Sequence, residues 1–290
     1  MIRPDRLPAA AARIPAAARV PAMVAACLIA AAVLLATPAY GKKKRDAPAP
    51  PPEEVYRQAL ARIEKKKYYS ARTMLQQALP RIPPEDRDLL PRVQLAIADA
   101  FYLDKGYLNY GEALNGYRNF LTYYPQHPDA DRAQFMIGMC LFLQAPSADR
   151  DQAVTRQAIA EFGRIEALFP GSPYYPKARD KIREAHDRLA DHERLVGNFY
   201  RQRRAWRAAV KRYNELLEQY PDYSRASLVH LDLGRCYLLL GDRTRAEEAF
   251  ARLPADPATK EERKIAQEAR AALKEFDDTM QKLARKGRRS

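Results

Sequence analysis

An aromatic residue followed directly by proline closes three segments of this 290-residue chain, and all three share one spacing. In each segment an alanine lies twelve positions before the proline, and a further aromatic residue lies eight positions before it. That alanine and aromatic are four residues apart, which places them on the same face of a helix. The segments are Ala113–Pro125, Ala158–Pro170 and Ala209–Pro221. Because proline cannot continue a helix, the spacing predicts three equivalent helices that each end at the proline.

Small residues precede these helices at matching positions. Gly197 lies twelve residues before Ala209, and Gly234 lies twelve residues before Ala246. Small residues where two helices cross allow close approach, and aromatic residues fill the space beside them. This arrangement is typical of the tetratricopeptide (TPR) repeat, whose helix pairs stack into a solenoid that binds partners. The sequence therefore predicts an all-α fold, a TPR solenoid of about five helix pairs with a C-terminal capping helix.

The chain divides into four predicted parts. A signal segment covers 1–41, and a basic, proline-rich tether covers 42–52. The five-repeat solenoid covers 53–256, and a capping helix with a basic tail covers 257–290. Only 11 glycines are present in the chain, which favours helices throughout the solenoid.

Three features distinguish the predicted repeats from one another. Repeat two carries a long inter-helix turn at 105–111, and repeat three carries an insertion at 144–151. In repeat four no helix breaker other than Gly197 occurs from Pro176 to Arg204. We therefore expect one continuous helix there, about 40 Å long at ~1.5 Å per residue.

The N-terminal segment has the order of a secretory signal. Basic residues precede an apolar run at 20–36, and small residues follow that run. Cleavage after Ala39 or Gly41 is the preferred interpretation. Two alternatives stay open. The run is almost long enough to be an uncleaved membrane anchor, and Cys27 follows Val-Ala-Ala as in a bacterial lipobox, which would make it a lipidation site.

The C-terminal segment has apolar residues three or four apart over 260–286, as in an amphipathic helix. They are Ile265, Ala269, Leu273, Phe276, Met280 and Leu283. A solenoid needs its last apolar face covered, so a cap is the preferred interpretation. The alternative is an amphipathic segment that binds a partner or a membrane surface.

The formal net charge of +14 comes partly from basic clusters at the two ends of the chain. No basic-aromatic binding module accompanies that charge, so we expect no nucleic acid partner. Cys140 and Cys236 occupy equivalent positions two repeats apart, beyond disulfide reach, and are expected to be small buried residues.

Residues able to perform catalysis are not grouped in this sequence. His186 and His192 are six positions apart and would not share a helix face, which argues against a metal pair. The chain has no phosphate-binding glycine loop, no Cys-x-x-Cys and no Gly-x-Ser-x-Gly. Acidic residues such as Glu161, Glu184 and Glu215 lie among basic ones and are expected to form solvated helix pairs. We therefore expect no enzymatic activity, no metal and no cofactor.

Several segments resemble one family more closely than they resemble TPR proteins in general. They are the Asp149-Arg150-Asp151 insertion, Phe169–Tyr174, the long helix of repeat four and the Ala205-Trp206 element. Together they resemble the BamD family, TPR lipoproteins of the outer-membrane β-barrel assembly machine, over about 53–245. The resemblance implies a scaffold in the periplasm, at the inner face of the outer membrane, with peripheral membrane association.

The same resemblance implies which partners the scaffold binds. They would be a BamA-like β-barrel protein, the C-terminal targeting strands of unfolded outer-membrane proteins, and other lipoproteins of the machine. The alternative function is a generic periplasmic TPR adaptor for cell-envelope or peptidoglycan-remodelling enzymes.

Two groups of candidate contact residues follow. By the resemblance, Arg212 matches the arginine that pairs with an acidic group on BamA, with Arg204 and Arg207 beside it; we expect it to lie exposed. The alternative is a solvated arginine without a partner role. A peptide-binding groove is predicted at Tyr68, Tyr69, Tyr107, Tyr110 and Tyr123, where tyrosines could stack on an extended chain. Aromatic residues at helical spacing are also common in cores, as expected for Tyr117, Tyr124, Tyr213 and Tyr220.

Overall fold

The structure is a computed structural model that describes residues 49–287, and in this part of the chain the regular structure is helical throughout. Eleven α-helices are present there, with one short 3₁₀ turn at Leu79–Arg81. In chain order the helices are α1 Pro52–Glu64, α2 Tyr68–Ala78, α3 Leu89–Asp104, α4 Tyr107–Tyr123, α5 Ala130–Gln144, α6 Ala153–Leu168, α7 Tyr175–Gln202, α8 Trp206–Gln219, α9 Ala226–Leu239, α10 Arg243–Phe250 and α11 Lys260–Gly287.

The first ten helices form five antiparallel pairs, and each helix packs mainly on its neighbours in the chain. Contacts restricted to neighbours are the property that defines a solenoid. The last helix, α11, packs against α9 and α10 and covers the end of the array. The predicted fold, a TPR solenoid of five helix pairs with a C-terminal cap, is confirmed.

Glycine and aromatic residues meet where the two helices of a pair cross. A Cβ atom added to Gly138 would overlap the ring of Phe162, and the same holds for Gly197 against Tyr213 and for Gly234 against Phe250. These rings are almost completely buried. The three glycines therefore set the closest approach between helices in repeats three, four and five. The spacing of Gly197 and Gly234 in the sequence predicted the last two of these contacts.

The helix α7 has 28 residues and no interruption, which confirms the predicted continuous helix of repeat four. It begins at Tyr175, and Pro176 in its first turn is tolerated because N–H groups there have no partner within the helix. It ends just before Arg204, whose positive φ of 59° reverses the chain.

Two hydrophobic clusters share α7. Ala178 and Ala185 belong to the cluster of repeats two and three, whereas Ala190 belongs to that of repeats four and five. The Arg188 Nη1 atom donates to the carbonyls of Phe142 and Ala145, at 3.2 and 3.4 Å. The end of α5 thus lies level with the middle of α7. The second half of α7 extends past repeat three and packs into the cluster of repeats four and five.

The turn in repeat two is shorter than the sequence predicted. Lys105 and Gly106 alone reverse the chain, with φ of 60° and 93°, and α4 begins at Tyr107. The Asn109 side chain then donates to the Lys105 carbonyl at 2.8 Å. The prediction of a turn over 105–111 is wrong because two residues with positive φ suffice, and glycine adopts that conformation without strain. The insertion at 144–151 is confirmed, since α5 ends at Gln144 and α6 begins at Ala153.

The last helix covers the solenoid only along its first half. Ile265 and Ala269 are buried, and Leu273 and Phe276 pack partly against the same cluster. Met280 and Leu283 are 50% and 58% exposed. The predicted cap is therefore present, but its apolar stripe continues beyond the surface that it covers.

The two cysteines of the solenoid, Cys140 and Cys236, are free and buried, as predicted. Burial raises the pKa of the Cys140 thiol to about 12 and that of the Cys236 thiol to about 11. The predicted signal segment, Cys27 and the tether as far as residue 48 lie outside the described residues; Pro52, assigned to the tether, is the first residue of α1. Among the helices within 49–287, none has the length and apolar character needed to cross a bilayer.

Candidate protein-binding surfaces

Arg212 lies in the middle of α8 and pairs with two carboxylates of its own chain. Its Nη1 atom donates to Glu215 Oε2 at 3.0 Å, and its Nη2 atom contacts Glu193 Oε2 on α7. The side chain is 32% exposed, and its buried Nε has no hydrogen-bond partner within residues 49–287. The expectation that Arg212 lies exposed is thus corrected: it is half-buried and held by Glu193 and Glu215.

Arg204 and Arg207 are exposed, and neither forms an ion pair within the described part of the chain. Arg204 lies in the turn between α7 and α8, and Arg207 lies in the first turn of α8. Arg207 and Arg212 are five residues apart in one helix, which separates them by about 140° around its axis. The structure therefore places Arg212 on a different side of α8 from Arg207.

Four of the five groove tyrosines lie at the edge of the solenoid where the two helices of repeats one and two are joined. Tyr68 and Tyr69 begin α2, and Tyr107 and Tyr110 lie in the first turn of α4. Tyr69 is 70% exposed and Tyr107 is 69% exposed. We call Tyr68, Tyr69, Tyr107, Leu108 and Tyr110 the aromatic edge.

The helices α2 and α3 are joined at this edge by Arg72. Its guanidinium lies 5.1 Å from the ring centroid of Tyr69 and 4.6 Å from that of Phe101. Its Nη1 atom is 2.5 Å from Asp104 Oδ2. Tyr110 packs on Tyr102 with ring centroids 5.7 Å apart. The half-buried rings thus support the exposed ones, which leaves Tyr69, Tyr107 and the 82% exposed Leu108 facing solvent.

Tyr123 is equally exposed, at 70%, but it ends α4 whereas Tyr107 begins it. Sixteen residues of helix separate the two, which is about 24 Å. The structure therefore does not bring Tyr123 into the aromatic edge. Tyr117 and Tyr213 are fully buried, and Tyr124 and Tyr220 pack partly against the core, as predicted.

A partly buried hydrogen-bond network connects repeat two to repeat three. The Tyr117 hydroxyl donates to Asp99 Oδ1 at 2.6 Å, and Arg132 makes two hydrogen bonds of 3.0 Å to the same carboxylate. Burial, together with the charge of Asp99, raises the pKa of the Tyr117 hydroxyl.

A second paired acid, Asp232, lies 3.6 Å from Arg201. Burial raises the pKa of Asp232, and the nearby Arg201 opposes that shift.

An apolar groove of about 510 Å³ lies where α7, α8 and α9 meet the capping helix. Trp206, Leu238, Leu239, Ala272 and Phe276 form its apolar walls. Leu239 is 58% exposed, so the groove is open to solvent. The apolar period of α11 and the three consecutive leucines at 238–240 were the signals in the sequence for this groove, which sequence reasoning did not identify.

Glu193 is a further residue that sequence reasoning missed, because it lies 19 positions from Arg212 on another helix. The acids expected to form solvated helix pairs each lie beside a basic residue of their own helix, but the Glu161 side chain is only 13% exposed and is therefore not solvated as expected. Glu215 lies 3.8 Å from Lys211, Glu184 lies 2.7 Å from Lys181, and Glu161 lies 3.1 Å from Arg164.

Between residues 49 and 287, no group of three or more His, Cys, Asp or Glu side chains is arranged to hold a metal ion.

Comparison with known proteins identifies the family that this chain matches. The family model described as YfiO, outer membrane lipoprotein, matches residues 48–253. An outer membrane protein assembly factor BamD of Caulobacter vibrioides is 31% identical over 132 residues, which are 46% of this chain and 43% of that protein. The BamD of Xylella fastidiosa strain 9a5c is 26% identical over 226 residues, or 74% of this chain and 76% of that protein.

Coverage differs among the relatives. The match spans less than half of the Caulobacter protein and 66% of the BamD of Haemophilus influenzae. A solved TPR protein of Thermus thermophilus shares 16% identity, with a TM-score of 0.33 and with 75% of this chain and 98% of that one covered. Because the family model matches well over half of the chain, the resemblance to BamD is confirmed, and the chain belongs to the YfiO family of outer membrane lipoproteins.

Proposed function

We propose that this chain is a non-catalytic TPR scaffold that assists the assembly of outer-membrane β-barrel proteins at the periplasmic face of the outer membrane. The observation that carries the proposal is the extent of the family match. Residues 48–253 include every helix from α1 to α10 and stop before the capping helix. What the chain shares with the family is therefore the whole array of binding repeats. In this proposal, Cys27 is the lipidation site if the segment before the solenoid is processed as in a lipoprotein.

A BamA-like β-barrel protein is the first proposed partner, bound at repeats four and five. Glu193 and Glu215 hold the Arg212 guanidinium in place before any partner arrives. A pre-oriented side chain loses less conformational entropy on binding. Arg204 and Arg207 add exposed positive charge at the nearby turn, which would steer an acidic partner surface toward this end of the solenoid.

The charge-reversal variant Arg207→Glu tests this surface, because Arg207 is exposed and unpaired among residues 49–287. We expect its affinity for the BamA-like protein to fall at least about tenfold, since a reversed charge at a complementary interface is repelled. Arg87→Glu is the matched control: Arg87 is likewise exposed, lies before α3 far from repeat four, and should bind normally. Equal affinities for both variants and the unmodified chain would exclude the side of α8 that carries Arg207 from the interface.

Unfolded outer-membrane proteins are the second proposed partner, with their C-terminal strands at the aromatic edge. Two exposed tyrosines and Leu108 offer flat apolar area beside wet hydroxyl groups, which suits an extended peptide with alternating side chains. We expect Tyr107→Ser to weaken binding of a labelled C-terminal strand peptide, measured by fluorescence anisotropy. Tyr123→Ser is the control, because Tyr123 has the same exposure at the other end of α4. A greater loss with Tyr123→Ser would move the peptide site to that end.

A complex with a peptidoglycan-remodelling enzyme, formed in place of one with a BamA-like protein, would favour the adaptor alternative. Co-purification from the native envelope separates the two functions, because only the first predicts recovery of the β-barrel subunit in stoichiometric amount.

A further inference from the structure

The end of the capping helix projects beyond the rest of the solenoid. Arg243, the first residue of α10, pairs with Asp277 of α11 through its Nε atom at 2.7 Å. The helix continues from Asp278 to Gly287, which is about 15 Å at ~1.5 Å per residue. Every described side chain from Asp278 to Lys286 is exposed. This projecting segment, 278–287, is called the helical tip below.

The helical tip has an apolar side that nothing in the described chain covers. Phe276, Met280 and Leu283 follow one another at helical spacing and continue the stripe that Ile265 and Ala269 bury against α9 and α10. Met280 is 50% exposed and Leu283 is 58% exposed. The groove at Trp206 and Leu239 adjoins this stripe through Phe276 and Thr279. The apolar surface therefore extends from the end of α9 onto the helical tip.

The opposite side of the helical tip is basic. Lys282, Arg285 and Lys286 lie between about 140° and 240° around the helix from Met280. The tip contains one acid, Asp278, and Arg288 and Arg289 follow in the sequence. Arg203 and Arg204 in the nearby turn and Arg207 at the start of α8 are exposed. None of these three forms an ion pair within the described residues. Basic side chains thus lie on the side of the helical tip away from Met280 and at the start of α8, whereas Glu268 and Glu275 line the groove itself.

We propose that the helical tip binds the surface of an anionic phospholipid bilayer. A helix with apolar residues on one side and Lys or Arg on the other inserts its apolar side about 5–10 Å into the boundary between headgroups and acyl chains. The basic residues then attract anionic headgroups. A projecting convex helix suits a lipid surface, which deforms around it, better than it suits a rigid protein groove. This contact would orient the C-terminal end of the solenoid independently of any N-terminal anchor.

The chain contains a single tryptophan, Trp206, and it lines the groove beside this surface, so it reports on binding there. The experiment titrates the full chain with phosphatidylcholine vesicles, with and without phosphatidylglycerol, and records Trp206 emission together with co-sedimentation. We expect a shift to shorter wavelength and tight binding with the anionic vesicles, and weaker binding with the neutral ones.

Two variants of the helical tip separate its apolar and charged contributions. Met280→Ser with Leu283→Ser should weaken vesicle binding at least about tenfold, because two apolar side chains no longer leave water. Lys282→Gln with Arg285→Gln and Lys286→Gln should weaken it on the order of 100-fold with anionic vesicles, because each charge near such a surface contributes to affinity. All five positions are exposed, so the thermal midpoint should not change.

Leu168→Ser is the matched control, because Leu168 is 59% exposed at the opposite edge of the solenoid and should bind vesicles normally. Three results would overturn the proposal. Variants of the helical tip could bind vesicles as the unmodified chain does, or Leu168→Ser could reduce binding as much as they do. Alternatively, Trp206 emission could respond to an acidic partner protein and not to anionic vesicles, which would make the tip a protein-binding surface.

Discussion

The backbone of Gly197 lies directly against the ring of Tyr213, so close that a single added methyl group would overlap its Cε1 and Cδ1 atoms. The ring is fully buried, and its hydroxyl donates to Asn198 Oδ1 at 2.7 Å. Tyr213 therefore cannot swing away from Gly197 without breaking that hydrogen bond. This contact fixes the distance between α7 and α8.

We predict that Gly197→Ala lowers the free energy of unfolding by about 2 kcal/mol, because extra volume at a close-packed crossing forces side chains or backbone to shift. Gly163→Ala is the control. Gly163 is exposed within α6, with no atom within 4 Å of an added Cβ, so alanine should stabilise the protein by up to about 1 kcal/mol through helix propensity. Urea titration followed by circular dichroism measures both. A destabilised Gly163→Ala would contradict the steric argument.

The network of Asp99, Tyr117 and Arg132 gives a second prediction. Asp99→Ala leaves both the buried Tyr117 hydroxyl and the Arg132 guanidinium without their shared acceptor. We expect a loss of about 2 kcal/mol, moderated because Asp99 and Arg132 are each about a quarter exposed. Tyr117→Phe removes one hydrogen bond and leaves the ion pair, so it should cost about 1 kcal/mol. Equal losses for the two variants would show that Arg132 contributes nothing.

Arg212→Glu should destabilise the free protein, in addition to any effect on a partner. The reversal places a third carboxylate beside Glu193 and Glu215. Because the site is about a third exposed, screening limits the expected loss to about 1 kcal/mol. Arg212→Gln keeps a donor without the charge and should lose less. An unchanged thermal midpoint for Arg212→Glu would mean that the two ion pairs are not formed in solution.

His230 gives a prediction for pH. Burial, with a smaller contribution from the positive charge of Arg252, lowers the pKa of His230 below its usual value of 6.5. The unfolded chain therefore binds a proton at this residue more readily than the folded chain does. As pH falls through the unfolded value, protonation favours unfolding, so this part of the stability is present at neutral pH and is lost in acid. His230→Gln should reduce the loss of thermal midpoint between about pH 7.5 and 5.5.

Local patterns in the sequence were sufficient for the repeats themselves. A glycine, an aromatic residue and a closing proline each act within one helix pair, which is why the crossings at Gly197 and Gly234 and the uninterrupted α7 were predicted correctly. The start of α4 at Tyr107 was not predicted, because two residues with positive φ form the turn in place of the longer one that we expected.

Such local patterns did not predict which side chains pair between helices. Arg132 and Asp99 are 33 positions apart, and no local spacing indicates that they meet. The exposure of Met280 and Leu283 likewise depends on a neighbouring element. The helix α10 has only eight residues and begins opposite Asp277, so it does not extend alongside the helical tip. An apolar period in a sequence shows which side of a helix could be buried, but not how far a neighbour extends.

The length of α7 has a geometrical consequence for a protein with proposed binding surfaces at both ends. Ala185 contributes to one cluster and Ala190 to the next, with unbroken helix between them. Deleting one residue there would turn repeats four and five by about 100° around the helix axis and move them ~1.5 Å closer to repeat three. Both halves would keep their own cores, yet two ligands bound to them would no longer face each other as before. The number of residues in α7 thus sets the orientation, relative to each other, of ligands bound at the two ends of the solenoid.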